Sequence, residues 1–350
     1  MRKKLLLLAA GLHLASASTA GAVVVTAVGD VMLGGSAAPT LKKKGHAHAF
    51  EGTERLLRGG DITVGNLEAP ITGRGTKFNG KRFCFRTASS AAGALQKAGF
   101  RVMTLANNHI MDYGADGLAD TKKFLQVRFI ASTGAGATLR EAREPAVVEA
   151  RGEKVAFLAY SLTQPVEFFA GAAKAGTAPG FAPFFTRDIA RARLTADHVV
   201  VSFHWGDEGS GVPRTRQTEA ARAAIDAGAS AVIGHHPHVL QGIEFYRGAP
   251  ILYSLGNFTF GSRSRTARTS MIARIILEKG QAGVEIVPIN VLNSEVDFRP
   301  VPLAGTRREQ ALREIRALSL PFGTRFVSSD NRILAVPGEV ADGLPPVRRN

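Results

Sequence analysis

The chain has 350 residues, 45% of them hydrophobic and 21% charged, which excludes a disordered or low-complexity protein and leaves enough apolar material for one large α/β domain or two ordinary ones. A single cysteine, Cys84, excludes both a disulfide framework and a cysteine-rich zinc site, so any metal centre must use nitrogen and oxygen ligands, a donor set that suits Mn, Fe or Zn. The net charge of +15 (44 Lys and Arg against 29 Asp and Glu) favours anionic partners such as an acidic polymer, a phosphoester or a phospholipid surface. The basic residues are scattered without aromatic interleaving, so no specific nucleic-acid partner is expected.

Residues 1–22 read as an export signal. Arg2-Lys3-Lys4 is a basic start, Leu5 to Leu14 an apolar core, and Ala15 to Ala22 a small-residue stretch suited to cleavage. Loss of that segment would leave a charge of +12 (41 minus 29) and place the mature protein outside the cytoplasm, secreted or periplasmic in the cell envelope. No later run reaches the roughly 20 apolar residues of a transmembrane helix.

Apolar runs at 23–28, 61–65 and 101–106 predict strands, with helices near 50–58, 89–98 and 115–125 between and after them. A further strand is expected at 127–131, then a hairpin around Arg151-Gly152 and an irregular loop over 164–185. Strand 198–203, a helix from Thr215 to Ala227 and strand 231–233 follow. Beyond Ser270, alternating stretches predict antiparallel strands up to about residue 295, and 296–350 reads as a C-terminal extension. The alternation of strands and helices predicts one mixed α/β domain with helices outside.

Five of these runs end on groups able to bind a metal ion. They run into Gly29-Asp30, Asn66-Leu67-Glu68, Asn107-Asn108-His109, His204, and His235-His236-Pro237-His238. Ligands in α/β sheets bind beyond the C-terminal ends of the strands, so these endings predict a single site. In Asn107-Asn108-His109 an Asn carbonyl can ligate a metal, while the adjacent His109 suits proton transfer, with Asp112 accepting its other N–H. His236 and His238 flank Pro237; in an extended segment they point the same way and can serve one ion or two, with His235 turned elsewhere. Asp30 and Glu68 supply carboxylates, one able to bridge a metal pair, and His204 completes the ligands. Lys77, Lys81, Arg82 and Arg86, in the loop after Glu68, are placed to receive an anionic substrate. Cys84 between Phe83 and Phe85 reads as a packed small hydrophobe.

The segments Gly29-Asp30-Val31-Met32, Asn66-Leu67-Glu68, Ala106-Asn107-Asn108-His109, His204-Trp205-Gly206, Gly234-His235-His236-Pro237-His238 and Leu255-Gly256-Asn257, spread over roughly 23–262, give the chain a resemblance to a known family. It resembles the CapA family of bacterial capsule and poly-γ-glutamate synthesis proteins, a branch of the calcineurin-like metallophosphoesterases. The resemblance implies a four-layer αββα sandwich over 23–295 and a site for two divalent metal ions. By position it implies Asp30 on the first metal, Glu68 bridging, and Asn108 on the second. His204, His236 and His238 complete the ligand set, with Asn66, Asn107 and His235 around them, and His109 as the acid. Where the broader superfamily has a His, this chain has Met32, a poor ligand for hard ions. Two functions follow as expectations. One is an exported hydrolase of a phosphoester or related linkage; the other is a non-hydrolytic component that binds acidic polymer beside a membrane-bound capsule synthesis machinery.

Overall fold

The computed structural model describes residues 21–338, apart from 263, 265, 279–280 and 330–331. Nearly all of the expected export signal therefore lies outside the described residues. The first apolar run becomes the centre of a large sheet. Strands β1 (Val23–Met32), β2 (Ile62–Leu67), β3 (Phe100–Thr104) and β4 (Ala131–Thr133) lie parallel in that order. Helices α1 (Ala38–Lys44), α2 (Ser90–Ala98) and α3 (Gly114–Gln126) cover its outer face through Leu41, Leu95, Leu118 and Leu125, which pack with Val28 and Val31 of β1.

The chain then builds a second sheet from β5 (Ala146–Ala150), β6 (Glu153–Ser161), β7 (His198–His204), β8 (Ala231–His235), β9 (Ile243–Tyr246) and β10 (Ala249–Leu252). Its spatial order is β9-β10-β8-β7-β6-β5, with parallel strands inside and an antiparallel strand at each edge. Helices α4 (Ala182–Ala192) and α5 (Thr215–Asp226) pack on its outer face. Strand β7 shows the pattern: Val200 faces the other sheet, whereas Val199, Val201 and Phe203 face the helices. Both faces are covered, which is why the inner strands read as unbroken apolar runs.

Strands β11 (Asn257–Phe260), β12 (Thr269–Glu278) and β13 (Gln281–Asn290) return to the first sheet, β11 parallel to β1 and β12 antiparallel to it. Helix α6 (Gly305–Ser319) and the hairpin β14 (Arg325–Ser329) and β15 (Arg332–Val336) follow. Leu312 and Ile315 enter the core between the sheets, and β15 pairs with β13. Helix α6 and the hairpin β14-β15, which lie within the expected extension, thus join the same sheet and core as 23–295. The layers run helix, sheet, sheet, helix.

Three local expectations shift. The strand expected at 127–131 begins at Ala131, because α3 runs to Gln126 and Phe129 turns into the left-handed region at φ 57°. The loop expected to reach 185 ends in α4, which starts with Pro183 in its first turn and buries Phe185, Ile189 and Ala192. The helix expected near 50–58 is a single turn, Glu54–Leu57.

Candidate metal centre

The C-terminal ends of β1, β2, β3, β7 and β8 open on one edge where the two sheets meet, and the predicted side chains converge there. Asp30 stands in register with Asn66 of β2 and Asn257 of β11. Gly29 permits this: the backbone passes so close to Gly256 that a Cβ would lie 1.9 Å from its carbonyl oxygen, which accepts the Asp30 N–H at 3.1 Å. Glu68 Oε1 lies 3.6 Å from His204 Nε2 and 3.8 Å from His238 Nε2. Glu68, His204 and His236 offer ligand atoms all within 4.8 Å of one another, and so do Asp30, Glu68 and His238. Glu68 is common to both groups. Asn108 Oδ1 joins the first, 3.0 Å from His204 Nε2.

His236 and His238 do come together, with ring centroids 5.7 Å apart, but not through an extended segment. Both residues have positive φ, 95° and 59°, so the chain kinks on each side of Pro237. Left-handed backbone at a non-glycine residue costs about 1–3 kcal/mol and gathers at functional sites. His235 stands apart from the ligand groups and supports one of their members, its Nδ1 lying 3.2 Å from Asp30 Oδ1. The His236 N–H donates to Asp30 Oδ2 at 3.2 Å, and His238 Nδ1 is 3.1 Å from the same oxygen.

Asn66 and Asn107 hold the framework. The Asn66 amide donates to Asp30 Oδ1 at 2.8 Å and to Glu68 Oε2 at 3.3 Å, and its oxygen accepts from Asn107 at 2.9 Å. Asn107 Oδ1 accepts from the N–H groups of His109 and Ile110 at 3.1 and 2.9 Å, which bends the chain after β3. That bend sends Asn108 toward His204 and His109 toward Asp112, whose Oδ2 lies 2.7 Å from His109 Nδ1.

Burial and charge set the protonation states. Burial opposes ionisation of Asp30, yet the hydrogen bonds with His235 and His238 hold it well below the usual carboxylate range. Burial and then the charge of Asp30 push Glu68 well above that range. His236, buried and beside His238, falls to about 3. His238 resists its own burial and, next to Glu68 and Asp30, rises to about 9. Burial also lowers His204 strongly and His109 more modestly, the latter against the pull of Asp112. The buried atoms Glu68 Oε1 and His236 Nδ1 have no hydrogen-bond partner. Unpartnered buried donors and acceptors are costly, and two buried carboxylates among the buried imidazoles of His204, His235 and His236 and the half-buried one of His238 form a nitrogen and oxygen set that a divalent cation fits.

Beside the cluster opens a cleft of about 550 Å³, walled by Phe83, Phe85, His109, Glu208, His238 and Phe260 among others. The basic loop does not line it as expected. Arg82 lies over the Phe83 ring at 5.1 Å and Arg86 over the Tyr113 ring at 4.6 Å, and neither is among the lining residues. Lys81 is turned inward, 2.8 Å from Asp112 Oδ1 and 3.0 Å from His109 Nδ1, because fully buried Asp112 draws a counter-charge. Two participants escaped the sequence reading. Asn257 Oδ1 is 2.9 Å from His238 Nδ1, but Asn257 opens a strand instead of ending one. Glu208 forms a third ligand group with His236 and His238, from a loop four residues past β7.

The family described as bacterial capsule synthesis protein PGA_cap matches residues 24–262. The chain is 34% identical over 291 residues to the PGA biosynthesis protein CapA of Bacillus subtilis (strain 168), which covers 82% of this chain and 76% of that one. It is 32% identical over 281 residues to the capsule biosynthesis protein CapA of Bacillus anthracis, covering 77% and 67%. Among solved structures it is similar to the calcineurin-like phosphoesterase YfkN from Bacillus subtilis, at 14% identity and a TM-score of 0.46, covering 85% of this chain and 96% of that one.

Proposed function

Because the chain belongs to the bacterial capsule synthesis protein family PGA_cap, we propose that it is an exported two-metal hydrolase of capsule or poly-γ-glutamate metabolism. Its substrate would be a phosphoester or related linkage in an anionic envelope polymer, handled beside membrane-bound synthesis machinery. The observation that carries this reading is Glu68 Oε1, buried, unpartnered and placed between His204 and His238. Asp30, Glu68 and His238 would hold one ion, and Glu68, His204, His236 and Asn108 the other. A bound pair of Mn, Fe or Zn ions supplies an activated water near neutral pH and polarises the scissile bond.

The chain's own residues do the rest. Asp112, fixed by the Phe85 N–H at 2.7 Å and by Lys81, holds Nδ1 of His109 and leaves Nε2 for the cleft. Burial lowers the pKa of His109 and favours its neutral form, and an anionic phosphoester in the cleft would raise it and let Nε2 carry the proton for the leaving oxygen. Export rests on the leader sequence; among the described residues no helix is long and apolar enough to cross a membrane.

One observation favours the second reading, a polymer-binding component without turnover. Met32 is buried against Ala69 and Phe260, so that position offers the metals no nitrogen. Metal analysis of the purified full chain, with assays on p-nitrophenyl phosphoesters and poly-γ-glutamate, tests both. Two ions per chain and turnover lost in Glu68→Gln are expected. A metal-replete protein that binds polymer but turns nothing over favours the second reading, and a protein that takes up no divalent ion sinks the first.

A further inference from the structure

Among the described residues outside the ligands assigned above, Glu208 has a carboxylate oxygen within ligand range of the cluster. Glu208 sits in the loop after β7 and lines the cleft. It offers a ligand atom within 4.8 Å of those of His236 and His238. The loop is latched to the histidine segment at two points: the Trp205 N–H donates to His235 O at 3.1 Å and the Gly209 N–H to Pro237 O at 2.8 Å. Asp207 pairs with Arg214 and reaches His236 only through its charge, whereas Glu208 offers the imidazoles a ligand atom.

On the β1 side of the cluster the corresponding position is apolar. By the two-residue period of a strand, Met32 is the residue of β1 that shares a face with Asp30. It spends that position on an apolar contact with Phe260, whose ring is 4.6 Å from the His238 ring. Strand β1 therefore delivers a single ligand. Charge leads to the same place: two divalent ions bring four positive charges, and Asp30 and Glu68 return only two negative ones.

We propose that Glu208 is a metal ligand of this centre, supplying from the β7 loop the coordination that Met32 does not supply from β1. This rests on the two-metal reading, and the test separates them. Metal-free full-length protein is titrated with Co²⁺ by calorimetry and by visible absorption, as wild type, Glu208→Gln, Glu208→Asp and Asp207→Asn. Glu208→Gln should weaken binding of at least one ion by about tenfold or more and change the Co²⁺ spectrum. Glu208→Asp should recover part of the affinity, and Asp207→Asn should match wild type. Adding Met32→His to Glu208→Gln should restore binding. Glu208 is exposed, so metal-free melting temperatures should not move, which excludes misfolding as the cause. Wild-type affinity and spectrum in Glu208→Gln, with loss in Glu68→Gln, overturn the role of Glu208 alone. Absence of Co²⁺ uptake by wild type overturns both.

Discussion

Gly29→Ala is a perturbation of one methyl group whose effect follows from the backbone geometry. The new Cβ would lie 1.9 Å from Gly256 O, 2.8 Å from its carbonyl carbon and 3.2 Å from the Asn257 carbonyl carbon. An ordinary contact needs about 3.5 Å, so the two segments must part by roughly 1.5 Å. The obstacle is backbone, not a side chain that can rotate, and it is tied to the Asp30 N–H. The residues pushed apart, Asp30 and Asn257, both contact His238 Nδ1, at 3.1 and 2.9 Å. Overpacking of this kind costs about 3 kcal/mol, or about 4–5 °C in melting temperature for a domain of this size. A shift of about 1 Å at reacting groups also costs about 10²-fold in rate. Thermal melts and calorimetric metal titrations check both effects against Gly283→Ala, where the nearest atom is 3.9 Å away and the change should stay within about 0.5 kcal/mol. A Gly29→Ala protein that melts with wild type and binds metal equally would refute the reasoning.

Three further outcomes are expected. In metal-free protein, Glu68 holds its proton above the ordinary 4.5 while the unfolded chain has lost it, so this group's contribution to stability falls as pH rises above 4.5. Glu68→Gln should therefore stabilise the metal-free protein increasingly as pH rises above 4.5 and abolish the melting-temperature gain on adding metal; melts in chelator and in excess Mn²⁺ check this. His238, raised to about 9, is protonated at pH 7.5, so metal uptake should release about one proton or more, measured by calorimetry in buffers of different ionisation enthalpy. His109→Ala should keep both metals and cut turnover by about 10²–10⁴-fold, whereas Asn108→Ala should lose metal and activity together, as metal analysis beside rate measurements will report.

The parallel strands and the identity of their terminal residues were legible because chemistry and topology coincide there. A strand buried on both faces must be apolar, so the first polar residue after it marks the sheet edge. Asp30, Glu68, His204 and His236 were found in this way. What the sequence did not reveal was backbone direction and charge pairing. The positive φ of His236 and His238 has no signature in residues that are not glycine, so their convergence was expected for the wrong geometric reason. Lys81 looked like its basic neighbours until the fold buried Asp112 beside it. Asn257 and Glu208 lie at a strand's start and in a loop, where a rule about strand ends does not look.

The features that make the edge chemically useful are those a metal-free protein bears at a cost: a buried carboxylate kept protonated, a histidine held neutral down to about pH 3, and two kinked histidines. The two kinked backbones cost about 1–3 kcal/mol each; Glu68 works against folding as pH rises above 4.5, and His236 as pH falls below 6.5. The rest of the fold is built so that this load stays local. All of these residues follow the last buried apolar position of their strands, so none displaces a side chain from the three apolar clusters. A cation binding there would give the unpartnered Glu68 oxygen a partner and let Glu68 ionise beside Asp30, without a change in the core. The strain is then a property of the metal-free state, and metal affinity is the free energy of its release added to that of coordination.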